Sequence, residues 1–287
     1  MKINEHCAEC LWNRQKKLTD NRDYLYEIRQ IIDSRRENDC SPYIIYLFNQ
    51  VYERYFGKRP SYYEEKKTYN DLLLSMEDDF RKRIENSDDP LKTAFIYSRL
   101  GNYIDFGAFS NVNKDEFLSL FDNAQLPEND LSVYNSFLDQ CRSGNRFLLI
   151  ADNCGEIVLD KLFLERLKLS YPALELSVMV RGGEALNDLT AEDAEYVHID
   201  RIAHIVSNGK PVSGTVYDLL SEEAKSYIDN ADIIFAKGQG NYESLAGQGL
   251  HIFYSFLCKC DLFTTKFNVP RLTGIFIEEN PRKNDWI

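Results

Sequence analysis

Histidine is scarce, basic side chains are outnumbered, and long apolar runs are missing from this 287-residue sequence. The four histidines, His6, His198, His204 and His251, lie beside the cysteines or in strand-like contexts. Packed or surface roles suit them better than a catalytic base, and a nucleophilic triad is not expected. Lys and Arg number 34 against 46 acids, a formal net charge of −12. That balance repels a polyanionic partner, and clusters such as Arg81-Lys82-Arg83 are interleaved with acids, so no nucleic-acid interface is expected. No stretch reaches the roughly 18 consecutive apolar residues of a membrane span, and Met1 to His6 lacks the apolar core of a signal peptide. Seven cysteines, an odd number, suit a reducing compartment better than a disulfide framework. The expected setting is the cytoplasm.

What is present is an ordinary globular composition with 13% aromatic residues, enough to build a real core. The chain changes character near residue 143, giving an expected helical domain over 1–143 and an α/β domain over 144–287. Leu11, Leu18, Tyr24, Leu25, Ile28, Ile31 and Ile32 predict two amphipathic helices broken near Thr19 to Asn21. Ser41-Pro42 opens a helix that ends at Gly57. Pro60 to Glu85 reads as one long charged helix, and Asp89-Pro90 opens another to about Phe106. Shorter helical patterns cover Lys114 to Phe121 and Asn129 to Cys141. Beyond Gly144, apolar runs at Phe147–Ala151, Leu174–Val180, His204–Val206, Ala231–Ala236 and His251–Leu257 alternate with helical segments, and Gly274–Ile277 reads as an edge. The alternation predicts a mostly parallel sheet covered on both faces, in an α/β fold.

In such sheets ligands bind beyond the carboxyl ends of strands. Asp152-Asn153-Cys154-Gly155-Glu156 follows the first run, Arg181-Gly182-Gly183 and then Asn187-Asp188-Leu189-Thr190 follow the second, and Lys237 to Glu243 follows the fourth. Asp and Asn also cap helices and make turns, so one such cluster alone carries little. Three clusters converging on one crevice carry more. Asp152, Asn153 and Asp188 offer only oxygen ligands, which favours Mg²⁺ or Mn²⁺ over a zinc site. Lys237 adds a mobile charge, and Gly238 and Gly240 allow backbone N–H groups to approach an anion.

The strings ADNCGE (Ala151 to Glu156), LNDLTAEDA (Leu186 to Ala194) and KGQGNYESL (Lys237 to Leu245) resemble the three signatures of the damage-control phosphatases, the former domain of unknown function 89, once also proposed to contain carboxyl methyltransferases. Cys7-Ala8-Glu9-Cys10, Gly101-Asn102-Tyr103-Ile104-Asp105 and Lys259-Cys260 are similar to the small microbial branch that carries a Cys-x-x-Cys pair. The resemblance covers nearly the whole chain. It implies a helical N-terminal part on a Rossmann-like α/β/α domain, and a divalent ion (Mn²⁺, Co²⁺, Ni²⁺ or Mg²⁺) held by Asp152, Asn153 and Asp188. It also implies hydrolysis of phosphate monoesters of small metabolites, such as sugar phosphates or damaged metabolites. Lys237 would meet the phosphate, with Gly238, Asn241, Asn102, Asp105 and Lys259 around the substrate. Cys154 stands where a small residue is usual, and Asp261 where a proline is common.

Other readings have weaker support. A haloacid-dehalogenase-type phosphatase needs a second Asp at position 154, which is Cys. A dinucleotide fingerprint from Gly238 needs a third glycine at 243, which is Glu. A sensor that binds a metal or phosphorylated ligand without turnover, and a carboxyl-methyltransferase-like enzyme, stay open. The expected chemistry is metal-assisted attack of water, with Asp152 and Lys237 central and Glu156 able to orient the water. Cys7, Cys10, Cys258 and Cys260 read either as buried packing or as a separate structural site for a softer ion.

Overall fold

Asn4, Asn21 and Asp89 each turn a side-chain oxygen onto the N–H three residues ahead, at 2.8, 3.0 and 3.0 Å, and a helix starts at each. The computed structural model describes residues 3–102, 118–119, 121–122 and 124–281. The helices are α1 (Glu5–Leu18), α2 (Arg22–Asp33), α3 (Ser41–Phe56), α4 (Tyr63–Leu74), α5 (Glu77–Glu85), α6 (Pro90–Gly101) and α7 (Leu131–Ser143). The break between α1 and α2, and the stop of α3 at Gly57, fall where the sequence puts them. The single helix expected over Pro60 to Glu85 is two. Ser75 Oγ takes the carbonyl of Leu72 at 2.7 Å, and that competition with the backbone ladder marks the break. The expected helix over Lys114 to Phe121 lies mostly outside the described residues.

From Arg146 onward strands and helices alternate: β1 (Arg146–Ile150), α8 (Glu156–Ser170), β2 (Glu175–Val180), α9 (Ala191–Tyr196), β3 (His204–Ser207), α10 (Glu222–Asn230), β4 (Ile233–Lys237), α11 (Gln239–Leu245), β5 (Ile252–Leu257), α12 (Asp261–Phe267) and β6 (Gly274–Glu279). The sheet order is β3-β2-β1-β4-β5-β6, parallel except for β6, which pairs antiparallel with β5 at the edge. This is the α/β architecture expected. The order reverses between β1 and β4, which makes the crevice beyond their carboxyl ends the topological switch point.

Alternate residues of each strand face opposite layers. Phe147, Leu149, Phe235, Phe253 and Phe276 join Phe95, Phe137 and Phe163 of α6, α7 and α8 in one aromatic core. Leu148, Ile150, Ile234, Ala236 and Tyr254 face α10, α11 and α12 on the other side. Helices α1 to α3 close a separate small core around Tyr24, Ile28, Ile44 and Phe48. The change from helix to strand falls between Ser143 and Arg146, while the packing of α4 to α7 is continuous with the sheet. Among the described residues no helix is long and apolar enough to cross a membrane.

Candidate active site

The loops after β1 and β2 lie against each other. Leu189 N donates to Asp152 O at 2.8 Å and Cys154 N to Asn187 O at 3.0 Å, and Asn153 pairs with Asp188 as an isolated antiparallel bridge. Asp152, Asn153 and Asp188 are thereby brought together, as expected. Asp152 Oδ2 accepts from the amides of Asn102 at 3.1 Å and Asn153 at 2.7 Å. Both amides also donate to Glu156 Oε2, at 2.9 and 3.2 Å. Asn153 Oδ1 accepts from Asn187 at 2.7 Å. Asn102, the cap of α6, therefore reaches the crevice from the helical part, and Leu257 N donates to its oxygen at 3.3 Å. Asp105 lies outside the described residues.

Gly238 sits at the end of β4 with φ of +81°, a conformation L side chains rarely adopt. A Cβ there would fall 2.0 Å from Asp152 Oδ2, so only glycine lets β4 stand this close to the carboxylate. The neighbouring contacts differ from the expected phosphate cradle. Gly238 N donates to Ser255 O at 2.9 Å as part of the β4–β5 edge. Asn241 donates to Ala151 O and Lys237 O, at 3.1 and 2.7 Å, and its oxygen accepts from Arg181 and Thr215. It ties strand ends together. Lys259 is partly exposed, and its charge lowers the Asp152 carboxyl's pKa.

Lys237 is fully buried and points beneath the crevice. Its ammonium lies 2.7 Å from Glu156 Oε1 and 2.7 Å from Asp160 Oδ1, and donates to Ser98 O at 2.8 Å. Burial alone would depress this lysine; Asp160 and Glu156 outweigh it and hold the ammonium above its ordinary pKa. Asp160, Ser98 and Arg181 belong to the site although the sequence reading assigned them no role. Asp160 follows Glu156 by four residues and Ser98 precedes Asn102 by four, so helical spacing alone puts each pair on one face. Arg181, 1% exposed, donates from Nε to Asp188 Oδ2 at 2.6 Å, and its Nη2 stands 3.6 Å from Asp152 Oδ1.

Three buried carboxylates, Glu156, Asp160 and Asp188, and the partly buried Asp152 thus face two buried cations, Arg181 and Lys237. Burial, with Asp188 and Glu156 as like charges nearby, pushes the Asp152 carboxyl up to about 7. Burial also raises Asp188, against the pull of Arg181. The excess of acids over cations and the all-oxygen donor set fit a divalent cation. Among the described residues no three His, Cys, Asp or Glu side chains group as a metal site. The fit therefore rests on two acids and the Asn153 amide oxygen.

All seven cysteines are free thiols. Cys258 is buried in the core beneath β5, with Cys260 packed against it. Cys7, half-buried, feels the charges of Glu243, Cys260 and Cys10, and burial leads in pushing its thiol up to about 11. Cys154 is buried and its thiol is driven well above the ordinary value, chiefly by desolvation. Asp261 opens α12, which is the local path taken in place of a proline.

Fold and site together describe an α/β protein with an acidic centre at a switch point. The family model of the damage-control phosphatase ARMT1-like domain matches residues 2–272. A damage-control phosphatase of Archaeoglobus fulgidus is 30% identical over 272 residues, covering 91% of this chain and 93% of the relative. One of Pyrococcus horikoshii is 24% identical over 283 residues, covering 94% and 96%. A solved DUF89-family structure from Pyrococcus horikoshii superposes with a TM-score of 0.80 at 20% identity, covering 97% of this chain and 99% of that one. The chain belongs to the damage-control phosphatase family.

Proposed function

We propose that this chain is a cytoplasmic, divalent-metal-dependent phosphatase that hydrolyses phosphate monoesters of small metabolites, sugar phosphates or damaged phosphometabolites among them. The observation that carries the reading is the charge deficit at the switch point. Asp152 and Asp188, delivered by different strands, share one buried guanidinium. The names of the Archaeoglobus and Pyrococcus relatives support the reaction class.

In this reading Asp152, Asp188 and Asn153 Oδ1 hold the cation. When bound, that ion supplies charge for the phosphoryl oxygens and lowers the pKa of a water. Glu156 Oε2 fixes both amides that flank Asp152, which holds the Asn153 side chain in one orientation, its oxygen accepting from Asn187. Lys237 acts from beneath as the counter-ion of Glu156 and Asp160. Lys259, the partly exposed cation close enough to act on Asp152, is the side chain assigned to the phosphate.

The test is a panel of sugar phosphates and an aryl phosphate, run on chelated protein and again after adding Mg²⁺, Mn²⁺, Co²⁺ or Ni²⁺. Turnover is expected only with metal, and Asp152→Ala and Asp188→Ala are each expected to reduce it by more than roughly 10³. Full activity after chelation overturns the metal requirement. No turnover of any ester with any of the four ions overturns the phosphatase reading.

A further inference from the structure

We propose that Arg181 is the positioning residue of the metal centre: it aims Asp188 and Asp152 at one shared cation and so sets the affinity with which that cation is held. The inference rests on the metal-dependent reading above. Arg181 directly follows β2, and its N–H donates to Leu189 O at 2.8 Å while the residue bridges to Thr190. The loop that carries Asp188 therefore leaves and returns at Arg181, and its aspartate meets the guanidinium that opened it.

The guanidinium is held from behind. Its Nη1 donates to Gly214 O at 3.1 Å, Thr215 Oγ1 at 3.2 Å and Asn241 Oδ1 at 3.0 Å. Thr215 in turn donates to Asn241 at 2.9 Å, and Asn241 is pinned to the carbonyls that end β1 and β4. Acceptors from two separate segments fix the plane of a side chain that is 1% exposed.

The forward edge is only partly used. Nε takes Asp188 Oδ2, whereas Nη2 has no hydrogen-bond partner among the described residues and stands 3.6 Å from Asp152 Oδ1. Asp152 is held through its other oxygen, Oδ2, by Asn102 and Asn153. Asp152 is thus anchored through Oδ2, and Asp188 through Oδ2 to Arg181 with Ser213 as a further hydrogen-bond partner, which leaves Asp152 Oδ1 as a ligand atom beside the Asp188 carboxylate. A hydrogen bond that orients a ligand carboxylate in this way typically changes metal affinity by about 10- to 100-fold. A lysine keeps the charge but not the planar fork.

The experiment is a Mn²⁺ titration of chelated protein, read as free Mn²⁺ by electron paramagnetic resonance, for the parent, Arg181→Lys and Thr215→Val. Arg181→Lys should raise the Mn²⁺ Kd by about 10- to 100-fold although the positive charge is kept. Thr215→Val, which touches neither carboxylate, should raise it by several-fold in the same direction. A folded Arg181→Lys variant with the parent's Kd reduces Arg181 to a structural residue and overturns the inference. If Arg181→Lys fails to fold, an unchanged Kd in Thr215→Val overturns it instead. A parent that binds none of Mn²⁺, Mg²⁺, Co²⁺ or Ni²⁺ defeats the metal reading itself, which separates the two failures.

Discussion

The Lys237 ammonium and the Glu156 carboxylate lie 2.7 Å apart, both fully buried, on the side of Glu156 away from its two amide donors. Lys237 is thus shared as counter-ion between Asp160 and Glu156, the residue that orients Asn102 and Asn153.

Lys237→Met should therefore act first on stability. Removing one partner of a buried ion pair leaves uncompensated charge and costs about 3–5 kcal/mol. At roughly 2–4 °C per kcal/mol for a chain of this size class, the melting temperature should fall by on the order of 10 °C. Adding Asp160→Asn should recover part of that loss, because one orphaned carboxylate is gone. An unchanged melting temperature in Lys237→Met, with only phosphate affinity reduced, would return the lysine to the substrate.

Gly238→Ala puts a methyl group 2.0 Å from Asp152 Oδ2 at a φ of +81°. The carboxylate must move, and a displacement of about 1 Å at a reacting centre can lower turnover by about 10². Circular dichroism should stay near the parent while phosphatase turnover falls by at least that factor. Parent-like turnover would mean that Asp152 has room that this geometry denies it.

The metal-free protein should also show an inverted acid response. Asp152 is held at about 7 by burial, Asp188 and Glu156, whereas an unfolded Asp titrates near about 3.9. Between those values the folded chain keeps a proton that the unfolded chain has released. This group's contribution is therefore complete below about pH 4 and is lost as pH rises toward 7. Melting of chelated protein at about pH 5.5 and about pH 7.5 should give the lower temperature at the higher pH, and Asp152→Asn should shrink the gap. An identical gap in Asp152→Asn would remove Asp152 as its source.

How far the sequence reveals this site depends on the kind of residue. Asp152 and Asp188 are legible because a strand end in a parallel sheet has one exit, and that exit is the crevice. Asn102 is legible only through the family resemblance, since nothing in its own helix says which strand ends it will face. Lys237 is found as a position but not as a contact. It shares the strand face of Phe235, two residues before, and that face looks into α6 and α8 rather than out of the sheet. Arg181 stands in a visible Arg-Gly-Gly string, but its partners come from 188, 214, 215 and 241, separations that no local pattern encodes. The break inside 60–85 is hidden for the opposite reason, because the buried positions Leu73, Met76, Phe80 and Ile84 keep helical spacing straight through it.

The cysteines give the last prediction, since the structure separates two that the sequence treats alike. Cys258 has no exposed surface and lies in the core beneath β5, while Cys10 is exposed on α1. Burial leads in pushing the Cys258 thiol up to about 11, so at neutral pH it is a protonated, apolar filler rather than a thiolate. Replacing it with serine buries a hydroxyl in a site built for sulfur, which costs about 1–3 kcal/mol when no hydrogen-bond partner is supplied. The same change at Cys10 should stay within about 0.5 kcal/mol, as surface substitutions generally do. Denaturant melts of Cys258→Ser and Cys10→Ser, each after dialysis against chelator, measure the difference directly. A parent that Zn²⁺ stabilises after chelation, with that gain missing in both Cys10→Ser and Cys258→Ser, would instead join Cys7, Cys10, Cys258 and Cys260 in one structural metal site.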